Sequence, residues 1–378
     1  IVDLAKPITK FTKTILPNDD IQELMNYALK TMTSPRKGPV LLDIPVDVQK
    51  AKYISSVSKK VAPKNLVNRR INDNVYQNAI NQINNAKKPL LLLGHGVVQS
   101  LNREEILSFL DGINMPIVTS WNATELGYLK NFVGRPGMFN QRYPNIITNQ
   151  ADLLIVLGCR LHIGLTGYDI KRFAKNAKII WVDIDQNELN KYDDGRILKI
   201  NDDIDNFIKF FKASTILKPD SSWLDKTKKL KNKISVTSNN KSNNDDVDSF
   251  YFISKLSEGL NVNDVVVTDM GLSFVGTHQS IKVQKGNKVF TNAGHAPMGW
   301  GLPAAIGAAI KIRDEGARVF CISGEGGLMM NIQELATIMH HKLPIKLFIY
   351  NNGGYLTIKQ TQQLGFNGRL MGSDEDSG

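Results

Sequence analysis

Two glycine-rich segments, each at the end of a short apolar run, constrain the fold of this 378-residue chain most strongly. The first segment, residues 324–327, contains Glu325, and the second, residues 351–354, contains Asn352. Between them, apolar side chains recur roughly one helical turn apart, at Leu328, Ile332, Leu335 and Ile338. This pattern predicts a strand–helix–strand unit. Because parallel strands end at the same edge of a sheet, both segments are expected where open α/β folds bind ligands.

The polar groups expected at this edge suit a divalent cation that carries a diphosphate. Mg²⁺ prefers oxygen ligands, and proteins often hold it through few side chains together with phosphate oxygens. Glu325 offers a carboxylate and Asn352 a side-chain amide. The glycines beside them allow backbone N–H groups to approach phosphate oxygens closely. The alternative is a strand–turn–helix unit that needs glycine only for its turns.

This pair of segments resembles the thiamine-diphosphate signature, in which Gly-Asp-Gly precedes Asn-Asn at a similar spacing. Flanking residues agree with the acetolactate synthase, pyruvate oxidase and pyruvate decarboxylase group: Asn331, Glu334, Leu335, Thr337, Leu343, Pro344 and Lys346. The resemblance is greatest to acetolactate-synthase-like members. The chain departs from the family at Glu325, where the family has Asp. The additional methylene moves the carboxylate by about 1.5 Å, which bears on metal binding because Mg²⁺ demands nearly ideal octahedral geometry.

The resemblance implies thiamine diphosphate and Mg²⁺ as cofactors and assigns roles to particular residues. The implied metal ligands are Glu325, Asn352 and the carbonyl of Gly354. The implied cofactor-binding residues are Gly271, Leu272, Ser273, Ala296, Met298, Gly326, Gly327 and Asn352. Met298 matches the large apolar residue that bends the cofactor, and it is the one residue of this chain given a catalytic role. A Met that merely fills the core is the alternative.

The resemblance also predicts the fold class and the domains. Strand-length apolar runs followed by Gly or Asp, with helical spacing between them, indicate a multi-domain α/β protein with doubly wound parallel sheets. The expected parts are the end of a pyrimidine-binding domain, a central Rossmann-like domain, a linker and a diphosphate-binding domain, over residues 1–52, 68–212, 213–248 and 249–378 respectively. The glutamate that activates the cofactor in this family is expected upstream of these residues. The chain is therefore expected to be a fragment, incomplete at both ends and inactive alone.

By resemblance, the expected activity is decarboxylation of a 2-oxo acid with carboligation, as in branched-chain amino acid biosynthesis. A homodimer or homotetramer is expected, since the family binds its cofactor between subunits. The alternatives are a simple 2-oxo acid decarboxylase, a carboligase of a sugar pathway, or a non-catalytic paralogue, the last suggested by Glu325.

Composition limits the remaining classes of function. The net charge of +11 raises the question of nucleic-acid binding. The densest basic run, residues 226–233, has no interleaved aromatic residues and is predicted to be a solvated helix that leads into a flexible linker. No apolar stretch is long enough to span a membrane. The two cysteines, Cys159 and Cys321, lie in apolar runs and are expected to be core residues of a cytoplasmic protein.

The central domain leaves two dinucleotide hypotheses open. Gly94 and Gly96 follow one strand and residues 183–185 follow another, as in nicotinamide-binding domains, but the third glycine is missing and the acidic residues come too late. Relatives that resemble acetolactate synthase bind FAD in this domain. Residues 158–160 and 183–185 match parts of that pattern, whereas residues 161–164 depart from it, so FAD is a possible cofactor.

Overall fold

The computed structural model describes residues 1–51, 73–214, 221–234 and 246–378. The chain divides into two compact units, residues 1–72 and 73–378. Parallel strands and helices build both units, which confirms the predicted α/β class. No helix of the described ranges has the length and apolar character needed to cross a membrane.

The first unit is a small βαβ arrangement. Its strands pair in parallel, and a hydrogen bond of 3.1 Å from Thr14 Oγ1 to Asp43 Oδ2 joins their ends. Asp20 caps the crossover helix by accepting the N–H of Glu23, as expected of Asp at a helix start. The elements are α1 (Val2–Ala5), β1 (Phe11–Thr14), α2 (Ile21–Thr33), β2 (Val40–Asp43) and α3 (Val46–Lys50), with a 3₁₀ turn at Lys6–Ile8.

A six-stranded parallel sheet forms the centre of the second unit, in the order β5-β4-β3-β6-β7-β8. This is the order of a Rossmann fold, with the switch point between β3 and β6. Both of those strands are fully buried, as parallel strands covered on two faces should be. The strands are β3 (Pro89–Leu93), β4 (Ile117–Thr119), β5 (Phe132–Gly134), β6 (Leu153–Leu157), β7 (Lys178–Asp183) and β8 (Ile197–Asn201).

Eight helices of the described residues cover this sheet. They are α4 (Asp73–Asn85), α5 (His95–Gln99), α6 (Arg103–Gly112), α7 (Arg142–Gln150), α8 (Ile163–Thr166), α9 (Gln186–Leu189), α10 (Ile204–Ser214) and α11 (Ser221–Lys233). Short 3₁₀ segments lie at Trp121–Tyr128 and Ile170–Arg172.

Helix α11 corrects the prediction of a solvated linker. It lies inside the range 213–248, but it packs against α7 and β5. Trp223 is 4% exposed, and its indole N–H donates to the carbonyl of Pro89 at 3.0 Å. Lys231 Nζ donates to the carbonyl of Phe132 at 3.1 Å. The helix is therefore amphipathic and belongs to the central domain, while the part of the predicted linker over 235–245 lies outside the described residues.

A four-stranded parallel sheet, in the order β10-β9-β11-β12, forms the last part of the chain. Side chains alternate along it, so that Val265, Val267 and Cys321 pack on one face with α14. Val266 and Ile322 pack on the other face with α12. Its elements are α12 (Ser249–Glu258), β9 (Val265–Thr268), α13 (Leu272–Ser280), β10 (Lys288–Phe290), α14 (Gly301–Lys311), β11 (Val319–Gly324), α15 (Glu325–Met329), α16 (Glu334–His341), β12 (Ile345–Tyr350) and α17 (Leu356–Gly365).

The crossover between β11 and β12 differs from the predicted single helix. It consists of α15 and α16, separated by a turn over residues 330–333. The Asn331 side chain donates to the carbonyl of Gly299 at 2.7 Å, which ties the turn to another loop. Ile332 is 43% exposed and does not continue the apolar stripe. A tertiary hydrogen bond therefore interrupts the helical pattern.

Both cysteines are free and buried, in different sheets, which confirms their prediction as core residues. Burial raises the pKa of the Cys159 thiol to about 11. Burial, together with the nearby Asp269 carboxylate, raises the pKa of the Cys321 thiol to about 12. Neither thiol is thus a reactive nucleophile near neutral pH.

A buried polar cluster joins the central sheet to helix α13. Arg135 is 1% exposed and donates to the carbonyls of His278 and Thr124, each at 3.2 Å. The hydroxyl of Thr124 lies 2.8 Å from Nδ1 of His278. His278 is fully buried, and burial, with a smaller contribution from the Arg135 charge, holds its pKa well below the ordinary value. His278 is therefore neutral in the folded protein at neutral pH.

This burial predicts a loss of stability in mild acid. Below about pH 6.5 an unfolded His278 takes up a proton that the folded chain does not accept, so protonation favours unfolding. Stability should fall by up to about 1.4 kcal/mol per pH unit as the pH drops further. His278→Gln keeps a group that can pair with Thr124 and should flatten this slope. Urea denaturation at several pH values measures it, and equal slopes for parent and variant would contradict the assignment.

Candidate active site at the carboxyl edge of the last sheet

The predicted site residues lie at the carboxyl ends of neighbouring strands. Strand β11 lies between β9 and β12, and all three run in parallel. Glu325 directly follows β11, and Asn352 lies two residues beyond β12. The turn before α13 follows β9. The sheet therefore gathers segments that are far apart in sequence at one edge.

Glu325, Asn352 and Gly354 converge at this edge. In the orientation of the Asn352 amide that satisfies its neighbours, its nitrogen donates to Glu325 Oε1 at 3.3 Å and to the carbonyl oxygen of Gly354 at 2.7 Å. The Gly354 N–H donates to Glu325 Oε1 at 2.9 Å. The carboxylate, the amide and the backbone carbonyl thus have the chemistry of a partial magnesium site.

The side chain of Glu325 reaches the loop that carries Gly354. Helix α15 begins at Glu325, and the carboxylate spans from there to the Gly354 N–H. Among the described residues, no group of three His, Cys, Asp or Glu is placed to hold a metal. The site has instead one carboxylate, one amide and one backbone carbonyl, a small set of the kind that holds Mg²⁺ together with phosphate and water.

A returning segment supports the Gly354 loop. Gly354 pairs with Asp374 in an antiparallel bridge, and the N–H of Tyr355 donates to the carbonyl of Ser373 at 2.8 Å. Lys359 forms an ion pair with Asp374, and its hydrogen bond lowers the pKa of that carboxyl. A cavity of about 270 Å³ opens between the two segments beside Glu325. The returning segment therefore holds the loop that carries Gly354.

Helix α13 presents the residues predicted to bind the diphosphate. Gly271 has a φ of 77°, which favours glycine, and stands directly before the helix. The first N–H groups of a helix lack partners and suit an anion. Ser273 is 1% exposed, and its hydroxyl donates to the carbonyl of Met270 at 2.9 Å. Its side chain thus stabilises the turn, which leaves the backbone N–H groups of Leu272 and Ser273 as the donors.

Met298 lies in a loop that contacts the turn after α15. Met298 is partly buried, and the next residue, Gly299, accepts the Asn331 side chain. An ideal Cβ at Gly299 would lie 3.4 Å from the carbonyl of Gly327. Ala296 is exposed and has a φ of 53°, a strained region that is frequent at functional sites. Met298 and Ala296 therefore belong to the same edge as the glycines of α15.

Comparison with known proteins gives two matches to domain models. Residues 76–210 match the model described as "Thiamine pyrophosphate enzyme, central domain". Residues 269–377 match "Thiamine pyrophosphate enzyme, C-terminal TPP binding domain". The chain belongs to the thiamine pyrophosphate enzyme family. The site at the carboxyl edge of the last sheet lies within the second of these matches.

Relatives of the same family align with nearly the whole chain. The chain is 32% identical to "Acetolactate synthase isozyme 1 large subunit" of Escherichia coli (strain K12), over 96% of this chain and 63% of that protein. It is 30% identical to "Probable acetolactate synthase large subunit" of Methanococcus aeolicus, over 97% and 64% respectively. It is also 30% identical to "Acetolactate synthase 1, chloroplastic" of Nicotiana tabacum, over 93% and 53%. The chain thus spans between about half and two thirds of the length of these relatives.

Sequence reasoning missed Asp269, which lies at the centre of this thiamine pyrophosphate enzyme site. The residue directly follows β9 and is 1% exposed. Its carboxylate accepts the N–H of Met270 at 2.9 Å and the N–H of Gly299 at 3.0 Å. It also accepts the Ser323 hydroxyl at 2.8 Å. A polar residue at the carboxyl end of a strand was the available signal.

The predicted dinucleotide segments also lie together, at the switch point of the central sheet. Residues 158–160 follow β6, residues 183–185 end and follow β7, and Gly96 N–H donates to the carbonyl of Gly158 at 3.0 Å. The side chain of Arg160 is paired with Glu188 at 2.6 Å. FAD at this edge stays a prediction.

Close packing at Gly326 gives a test of the site loop. A Cβ at this position would lie 2.3 Å from the Tyr355 ring. Gly326→Ala should therefore destabilise the protein by about 1–3 kcal/mol through overpacking, as measured by urea denaturation. Gly365→Ala is the matched control, because no atom lies within 4 Å of its ideal Cβ. Gly326→Ala should cost much less in a Tyr355→Ala background, and an equal cost in both backgrounds would contradict this explanation.

Proposed function

We propose that this chain binds thiamine diphosphate through Mg²⁺ and takes part in the decarboxylation of a 2-oxo acid with carboligation, as an acetolactate-synthase-like enzyme. The convergence of the Glu325 carboxylate, the Asn352 side-chain amide and the Gly354 backbone is the observation that carries this proposal. A carboxylate, a side-chain amide oxygen and a backbone carbonyl are ligand types that Mg²⁺ takes in proteins. Their position beside a glycine-rich helix start suits a metal that also binds a diphosphate.

Each group of residues has a proposed task. Glu325, Asn352 and the carbonyl of Gly354 would hold Mg²⁺, while the first N–H groups of α13, with Gly326 and Gly327, would hold the diphosphate. Met298 would support the bent form of the cofactor, since Met supplies bulk and adaptability without charge. When bound, thiamine diphosphate supplies the carbanion chemistry, and the protein supplies position and electrostatics.

Calorimetry with thiamine diphosphate, with and without Mg²⁺, tests the proposal directly. We expect binding that requires Mg²⁺ and disappears on chelation, because the diphosphate reaches the carboxylate edge only through the metal. No binding at millimolar cofactor would favour a non-catalytic paralogue. Calorimetry does not depend on the activity of the chain, so it separates cofactor binding from catalysis.

Product analysis with pyruvate distinguishes the reactions open to this scaffold. Acetolactate would support carboligation, and acetaldehyde would support simple decarboxylation. Failure of both, with binding intact, would agree with the expectation that this chain is inactive alone. Absorbance of the purified protein near 450 nm tests FAD. The homodimer or homotetramer and the cytoplasmic location stay predictions, as do the domain bounds.

A further inference from the structure

We infer that Asp269 is a positioning residue that holds the Met298 loop and the α15 turn in the relative positions that cofactor binding needs. The inference rests on the proposed function, because these relative positions matter only if the segments bind one cofactor. Asp269 is not among the groups proposed to contact metal or diphosphate. It acts through the segments that carry those groups.

The first observation is the set of donors that Asp269 satisfies. Its two oxygens both contact the N–H of Gly299, at 3.0 and 3.1 Å. One also accepts the Met270 N–H, and the other accepts the Ser323 hydroxyl. Met270 precedes the diphosphate helix, Gly299 follows Met298, and Ser323 lies one residue before the end of β11. One carboxylate thus connects the three segments proposed to bind the cofactor.

The second observation is the close approach of the α15 glycine to this carboxylate. An ideal Cβ at Gly327 would lie 2.4 Å from Asp269 Oδ2 and 3.0 Å from the Ser323 hydroxyl. An ideal Cβ at Gly301 would lie 2.9 Å from Asp269 Cβ. The backbone at Gly327 and Gly301 therefore packs directly on Asp269. A change at this side chain moves both sides of the site.

The third observation is the absence of a cationic partner. In the described ranges, no Lys, Arg or His forms an ion pair with Asp269, although the residue is 1% exposed. Burial of a charge without a cation is costly, so its donors must hold it firmly. All of those donors belong to the site segments. The hydrogen bonds of the buried Asp269 carboxylate therefore stabilise the site segments rather than a remote part of the fold.

The same strand supplies a matched control. Asp264 stands immediately before β9, is also 1% exposed, and pairs with Arg318, which stands immediately before β11. Asp264 and Asp269 therefore join the same two strands at opposite ends. Only Asp269 lies at the carboxyl edge, so a purely structural role would give both residues similar effects on the cofactor.

The experiment measures thiamine diphosphate affinity at saturating Mg²⁺ by calorimetry, in the full chain and its variants. Asp269→Ala should lower the affinity by about 10–100-fold. This range is typical of residues that orient the metal ligands without binding the metal themselves. Asp269→Asn should recover most of that loss, because its oxygen accepts the two N–H groups while its amide donates to Ser323. Asp264→Ala should lower the melting temperature but leave the affinity within about 2-fold, as expected for a distant independent site.

A second readout is the circular dichroism that the achiral cofactor acquires when it is held in one bent form. At saturating cofactor this signal should be reduced in Asp269→Ala and unchanged in Asp264→Ala. The inference would be overturned if Asp269→Ala had the same cofactor affinity and the same circular dichroism as the parent. It would also be overturned if Asp269→Ala and Asp264→Ala lost equal amounts of affinity and signal. A parent chain that does not bind the cofactor would overturn the proposed function as well.

Discussion

Replacement of Glu325 with glutamine is expected to weaken Mg²⁺-dependent binding of thiamine diphosphate by at least about 100-fold. This loss exceeds the one typical of residues that only orient metal ligands. Glutamine keeps the length of the side chain but removes its charge. Among the three proposed metal ligands, Glu325, Asn352 and the Gly354 carbonyl, Glu325 supplies the only formal charge. Calorimetry at several Mg²⁺ concentrations measures the effect, which should appear as a higher Mg²⁺ requirement.

Two further variants separate the effect of the Glu325 charge from the effect of its side-chain length. Glu325→Asp keeps the charge but withdraws the carboxylate by about 1.5 Å from the Gly354 N–H, so it should bind more weakly than the parent and more tightly than Glu325→Gln. Glu375→Gln removes one negative charge from the wall of the same cavity. We expect less than about a 3-fold change there, because exposed charges are screened. Equal effects of Glu325→Gln and Glu375→Gln would reduce the role of Glu325 to general electrostatics.

Truncation of Trp223 to alanine should reduce the free energy of unfolding by about 3–5 kcal/mol, as for other buried aromatic residues. The side chain is 4% exposed within the central core, and its N–H satisfies the carbonyl of Pro89. Its loss leaves a cavity and an unpaired buried carbonyl at the start of β3. Urea denaturation followed by far-ultraviolet circular dichroism measures the change without relying on tryptophan fluorescence.

Two control variants define the origin of that loss. Trp223→Phe keeps most apolar contacts and removes the hydrogen bond, so it should cost about 1–2 kcal/mol. Lys229→Ala changes an exposed position of the same helix and should stay within about 0.5 kcal/mol. If Trp223→Ala cost under about 1 kcal/mol, α11 would not be docked as the structure shows.

Most of the fold could be predicted because the parallel strands are continuous apolar runs. Residues 345–350 form a strand with the predicted bounds, and the run beginning at 318 forms β11 one residue later. Burial on both faces demands such runs, so the pattern is strong. The helix after β11 was predicted less well. Its apolar spacing continues through residues 330–333, and nothing in that spacing reveals the hydrogen bond from Asn331 that breaks it.

The predicted linker shows the same limit. Residues 226–233 are rich in lysine, and their composition indicates a solvated helix. Trp223, Leu224 and Thr227 nevertheless form a buried stripe. Lysine covers apolar surface with its stem while its charge stays in water, so composition alone underestimates how firmly such a helix packs.

The strand-end positions of Glu325, Asn352 and Gly354 could be read from the order of residues, because a βαβ unit returns parallel strands to one edge whatever surrounds it. Local pattern was sufficient there. The contacts among these three residues and the sharing of one buried carboxylate by three segments required the folded chain. Asp269, Gly299 and Ser323 are far apart in sequence, and hydrogen bonds among them depend on how the sheet and loops pack, which no local periodicity encodes.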